Sequence, residues 1–130
     1  YGGELPADYD AIRALPGIGD YTAGAICSIS FGIPVPAVDG NVLRVFSRLY
    51  NDPGVITDPA VKKAFTARVM EHQPPAAPGD YNQALMELGA LVCVPNGAPL
   101  CEQCPLARLC QARAAGTALS LPPRPASWKI

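Results

Sequence analysis

Fifteen prolines cut this chain into short segments, and the segments between them carry apolar residues at helical spacing. Proline lacks a backbone donor and turns the residue before it away from helix. Pro16, Pro34, Pro36, Pro53, Pro74, Pro75 and Pro99 therefore act as punctuation. The expected fold class is all-α. Helices are expected over residues 7–15, 20–30, 39–50, 58–72 and 80–93, with a further turn of helix at 105–114. In the first, Tyr9 and Ile12 point inward. The second is apolar on nearly every face (Ala23, Ala25, Ile26, Ile29), which predicts burial. In the third, Val42, Val45, Phe46 and Leu49 recur at helical period, with Arg44 and Arg48 on the opposite face. Asp58-Pro59 is a cap followed by a first-turn proline, ahead of a stripe of Val61, Ala64, Phe65 and Val69. Tyr81, Ala84, Leu85, Leu88 and Val92 form the last stripe.

The 130 residues suffice for one domain with a core, and an apolar share of 49% fits a globular chain. The expected division is a helical part over 1–92, a cysteine loop region over 93–116 and a linker from 117 to 130. No internal repeat is visible. The formal net charge of −1 excludes a strongly basic arm, so any nucleic-acid contact must be local. No apolar run approaches the roughly 18 residues of a membrane span. The polar opening Tyr1-Gly2-Gly3-Glu4 does not look like a signal peptide. Both ends look cut, which suggests part of a larger protein.

Three features carry chemistry. The first is Leu15-Pro16-Gly17-Ile18-Gly19, a tight loop between two helices. Its glycines permit left-handed dihedrals and close backbone approach, and amides opening the next helix can hold a phosphate. An ordinary interhelical turn has the same appearance. The second is Asp39, at the start of the third helix, where the dipole and free amides favour an anion. A plain N-cap satisfies that position equally well. The third is the set Cys93, Cys101, Cys104 and Cys110, separated by seven, two and five residues. Four clustered thiols in a chain with an odd cysteine count point to a metal centre in a reducing compartment rather than to disulfides. Zinc and a cubane iron–sulfur cluster both accept four thiolates. Cys27, the fifth, reads as a buried apolar residue. His72 reads as a solvated helix end, Met70 and Met86 as core or near-core, and Trp128 as a possible anchor of the tail.

The string Leu15-Pro16-Gly17-Ile18-Gly19-Asp20-Tyr21-Thr22-Ala23-Gly24 resembles the helix–hairpin–helix signature of the endonuclease III superfamily of DNA glycosylases. The resemblance runs from about residue 5 to 122 and implies the second part of that glycosylase fold. It implies phosphate binding by Leu15, Gly17, Ile18 and Gly19, with a monovalent cation on the hairpin carbonyls. Pro36-Ala37-Val38-Asp39-Gly40-Asn41-Val42 resembles the family's catalytic-aspartate string, which makes Asp39 the catalytic carboxylate and places Asn41 at the DNA. A fixed anion beside the sugar stabilises an oxocarbenium-like state or briefly bonds to it.

The bifunctional relatives carry a lysine two residues after the second hairpin glycine; here that residue is Tyr21, a DNA contact that cannot form a Schiff base. Asp39-Gly40-Asn41-Val42 and the string from Tyr81 to Cys93 resemble the adenine-specific, MutY-like branch. On that branch Gln83 falls at the base pocket, where its amide can pair with a flipped adenine. The family's cysteine motif implies a [4Fe-4S] cluster on Cys93, Cys101, Cys104 and Cys110, although the first gap is one residue longer here. The loop 94–100 lacks the lysine or arginine of relatives, so Arg108, or Arg44 with Arg48, is expected to supply positive charge.

The resemblance thus implies base-excision repair by a monofunctional N-glycosylase removing adenine opposite 8-oxoguanine or guanine in duplex DNA, with a bacterial, nucleoid-associated cytoplasmic location. None of Glu4, Glu71, Glu87 and Glu102 lies in a string matching the family's general acid. The expected partners are therefore also N-terminal helices and a C-terminal recognition domain of the same protein, and the 130 residues alone should excise little. Two alternatives stay open: an endonuclease III-like glycosylase and AP lyase, and a non-catalytic DNA-binding module with a structural metal.

Overall fold

A computed structural model describes residues 6–95 and 99–123. Within them every regular element is helical: α1 (Tyr9–Arg13), α2 (Asp20–Phe31), α3 (Gly40–Leu49), α4 (Pro59–Glu71), α5 (Pro78–Leu91) and α6 (Gln111–Ala115), with single 3₁₀ turns at Cys101–Gln103 and Ala118–Ser120. The all-α expectation holds. None of these helices is long and apolar enough to cross a membrane.

Local chemistry sets the helix ends. Asp8 caps α1 through the Asp10 amide, Asp39 caps α3 through the Val42 amide, and Asp58 caps α4 through the Ala60 amide. Gly32 and Gly116 close α2 and α6 in the left-handed conformation.

Two apolar clusters hold the helices together. The larger joins Val42, Leu43, Val45 and Phe46 of α3 to Phe65 and Val69 of α4 and Leu85 of α5. The smaller joins Ile12 of α1 to Ala23 and Cys27 of α2. Cys27 is fully buried, as expected for a small apolar residue. Full burial of α2 does not occur. Ile29 is 43% exposed and Phe31 37%, because α2 packs on α1 and α5 and leaves a third side open.

Helix α5 is the spine. It packs against both α2 and α3. Its Asn82 donates to Ser28 Oγ of α2 (2.9 Å) and to the Val35 carbonyl (3.0 Å), while Gln73 donates to Val35 and to Asn82 Oδ1. Gly89, two turns further on, lies against Asn41, where a Cβ would stand 2.9 Å from the Asn41 carbonyl oxygen. The chain after 117 was expected to be a linker, but its first residues pack: Leu121 is 7% exposed and its carbonyl accepts from Arg48 Nε at 2.9 Å. Trp128 lies outside the described residues.

The cluster part of the expected fold is corrected. Among the described residues, no group of three or more His, Cys, Asp or Glu side chains is placed to hold a metal ion. Cys93, Cys101, Cys104 and Cys110 are free and half-buried around a small cavity that Arg48 also lines.

Candidate functional site: hairpin, aspartate and the spine helix

The loop between α1 and α2 closes through the Ile18 amide, which donates to the Leu15 carbonyl at 3.2 Å. Gly17 has φ +79°, a conformation that L side chains rarely adopt, and a Cβ there would meet nothing within 4 Å. The hairpin tip is therefore open to a ligand. Gly19 is the N-cap of α2 and no side chain caps that helix, so its first amides remain available to an acceptor. Arg13 fastens the hairpin from behind: Nε donates to Asp20 Oδ1 (2.7 Å) and Nη1 to the Ile18 carbonyl (2.9 Å). Arg13, through its hydrogen bond, holds the exposed Asp20 carboxyl below the usual carboxylate range.

Asp39 is half-buried at the start of α3. Its Oδ1 accepts from the Val42 amide at 3.0 Å, and its Oδ2 accepts from Asn41 Nδ2 at 3.3 Å. Asn41 is oriented in turn by Arg44, whose Nη2 donates to Asn41 Oδ1 at 2.9 Å. Arg44 also donates to the carbonyls of Gly89 and Cys93, tying the aspartate turn to the end of α5. Burial first, and the neighbouring Arg48 charge second, push the Arg44 guanidinium below its ordinary pKa.

Tyr21, in the first turn of α2, is 36% exposed and donates its hydroxyl to Met86 Sδ of α5 at 2.7 Å. Partial burial and then the Asp39 charge raise its pKa, which places the phenol and the carboxylate in each other's field. Gln83 is exposed on α5, one turn before Met86 and so on the same side of the helix. The structure thus brings Tyr21, Asp39 and Asn41 to the helix that carries Gln83. The hairpin residues lie at the other end of the short step from Gly19 to Tyr21.

The comparisons with known proteins fit this arrangement. The family model for the helix–hairpin–helix motif matches residues 1–29. Adenine DNA glycosylase of Homo sapiens is 46% identical over 113 residues, covering 86% of this chain and 20% of that protein. The Schizosaccharomyces pombe protein of the same name is 41% identical, covering 84% of the chain and 24% of its own length. Among solved structures, a thermostable thymine-DNA glycosylase superposes with a TM-score of 0.74 at 30% identity, covering 88% of this chain and 52% of that one. A non-covalent endonuclease III–DNA complex gives 0.69 at 32% identity, covering 89% and 52%. Over about 85% of its length this chain matches adenine DNA glycosylases, of the helix–hairpin–helix glycosylase superfamily, at 36–46% identity. It spans about a fifth to a quarter of the length of these curated relatives.

Three expectations drawn from glycosylase resemblance are corrected. The [4Fe-4S] cluster is not supported: no metal-holding group forms among the described residues. Arg48 Nη1 donates to Cys93 Sγ (3.2 Å), the Leu106 amide donates to Cys104 Sγ (3.4 Å), and the Cys110 thiol donates to the Arg48 carbonyl (3.4 Å). Burial, ahead of the other causes, raises the Cys104 pKa. At the hairpin, where a cation was expected on the backbone carbonyls, the Arg13 guanidinium donates to the Ile18 carbonyl. Finally, Arg44 and Arg48 supply no surface charge. They are 8% and 3% exposed and donate to backbone carbonyls and to the Asn41 and Cys93 side chains. Arg108 is exposed.

The part played by α5 was not visible in the sequence. Gly79, Asn82, Met86 and Gly89 recur at helical spacing and meet Ser28, Ser28, Tyr21 and Asn41 in turn. The signal lies in the buried Gly79, Asn82 and Gly89 recurring on one side of the helix.

Proposed function

We propose that the chain supplies the DNA clamp and the catalytic carboxylate for hydrolysis of the N-glycosidic bond of adenine paired with 8-oxoguanine or guanine. One observation carries the reading. Asp39 is held by two hydrogen bonds beside Tyr21 and the hairpin, in a chain 46% identical to human adenine DNA glycosylase. Amides of the hairpin and of the first turn of α2 would take backbone phosphates, with no demand on sequence. The target adenine leaves the stack, and the exposed Gln83 amide is available to pair with its edge.

As the glycosidic bond breaks, positive charge develops on the deoxyribose. The oriented Asp39 carboxylate stabilises it, and water completes the hydrolysis. Neutral adenine is a poor leaving group and requires a proton, and we assign that acid to no residue of this chain. Tyr21 offers no amine, so the reaction stops at the abasic site.

The test is to incubate the intact gene product with duplex DNA holding adenine opposite 8-oxoguanine. Free adenine should be released with an intact strand, and borohydride should trap no covalent adduct. Strand cleavage with a trapped imine would assign a lyase instead. Binding without release would leave a DNA-binding module.

A further inference from the structure

A cleft of about 720 Å³ opens between the exit of the hairpin and the first half of α4. Gly19, Asp20 and Tyr21 form one wall, and Lys62, Lys63 and Thr66 the other. Both lysines are exposed, and among the described residues neither forms an ion pair. The one acid lining the cleft, Asp20, is already paired with Arg13 at 2.7 Å. A chain of net charge −1 therefore concentrates two uncompensated cations at this place. Tyr9 and Tyr21 also line it, so aromatic surface lies beside the positive charge. Cation and aromatic walls together suit a nucleic-acid strand, whose phosphates and bases need both.

The cleft is continuous with the open hairpin through Gly19 and reaches Val38, the residue before Asp39. We propose that Lys62 and Lys63 bind backbone phosphates of the DNA strand that the hairpin holds, extending the clamp across the cleft to α4. This rests on the reading of the chain as a DNA glycosylase component. Its consequence is a longer footprint on one strand, with the reacting sugar between two points of phosphate attachment. Each phosphate contact releases counterions, so each lysine contributes to the salt dependence of binding and not to sequence preference.

The experiment measures the affinity of the full chain for a short labelled duplex over a series of salt concentrations. Lys62→Gln with Lys63→Gln is compared with wild type and with Arg113→Gln, which removes an exposed cation on the cysteine side. Circular dichroism checks that helix content is unchanged. The slope of log affinity against log salt should fall by about two in the double variant, equally on unrelated sequences, and stay unchanged in Arg113→Gln. An unchanged slope in the double variant, or an equal fall in Arg113→Gln, overturns the proposal while leaving DNA binding intact. If wild type binds no duplex at all, both this proposal and the functional reading beneath it fail.

Discussion

The two oxygens of Asp39 take different partners, one from the backbone of α3 and one from the Asn41 side chain. Each oxygen accepts once and keeps a lone pair for another donor or a developing cation. Capping and catalysis therefore coexist, and substitutions separate them. Asp39→Asn keeps a good cap and should leave stability nearly unchanged, whereas Asp39→Ala should cost about 1 kcal/mol in a denaturant titration. The sequence showed Asp39 because its string is contiguous. It did not show Arg44, whose partners at Gly89 and Cys93 lie far along the chain. Charge on the side of α3 opposite its apolar stripe reads as a solvated face until α5 is seen to cover it. Arg44→Met removes donors from buried carbonyls and should destabilise by about 3 kcal/mol. Arg44→Lys lacks the planar fork and should recover little of that loss.

Helix α5 shows how one element couples distant pieces. Alanine is the better helix former at an interior position by roughly 1 kcal/mol, so Gly89→Ala would stabilise an isolated helix. Here the added Cβ would meet Asn41 backbone, so the variant should lower the melting temperature and displace the Asp39 turn. A raised melting temperature would contradict the packing described. The same helix carries Tyr81, whose hydroxyl donates to the Val69 carbonyl at 2.8 Å. Burial, with a smaller contribution from Tyr50, pushes its pKa from 10.0 up to about 12. The unfolded chain then loses this proton at lower pH than the folded one. Stability contributed by neutral Tyr81 is intact below about pH 10, declines above it and levels off beyond about pH 12. Urea midpoints across that window should fall in wild type and fall less in Tyr81→Phe. Proline punctuation and apolar period made the helices legible, with ends displaced by a few residues. The exposed side of α2 was not legible, because apolar residues alone do not say how many neighbours a helix has.

At the scale of the whole molecule, the helices place three kinds of group in order: an open hairpin, an oriented carboxylate and a cleft with paired lysines. Linear order alone foretold the first two. Lys62 and Lys63 escaped notice because their meaning comes from standing across a cleft from residues about 40 positions earlier. Cysteine spacing pointed the wrong way for a related reason. Spacing lists possible ligands, but ligation needs the folded chain to place them together, and among the described residues no group of three or more His, Cys, Asp or Glu side chains is so placed. In the proposed reaction this arrangement turns Asp39 on the sugar of a flipped adenine. The most direct measurement is single-turnover adenine release by the intact gene product, wild type against Asp39→Asn, on duplex carrying adenine opposite 8-oxoguanine. Asp39→Asn should lose at least about two orders of magnitude in rate, of the size seen when one stabilising group at a developing charge is removed, with duplex affinity retained. Release by Asp39→Asn at the wild-type rate would contradict it.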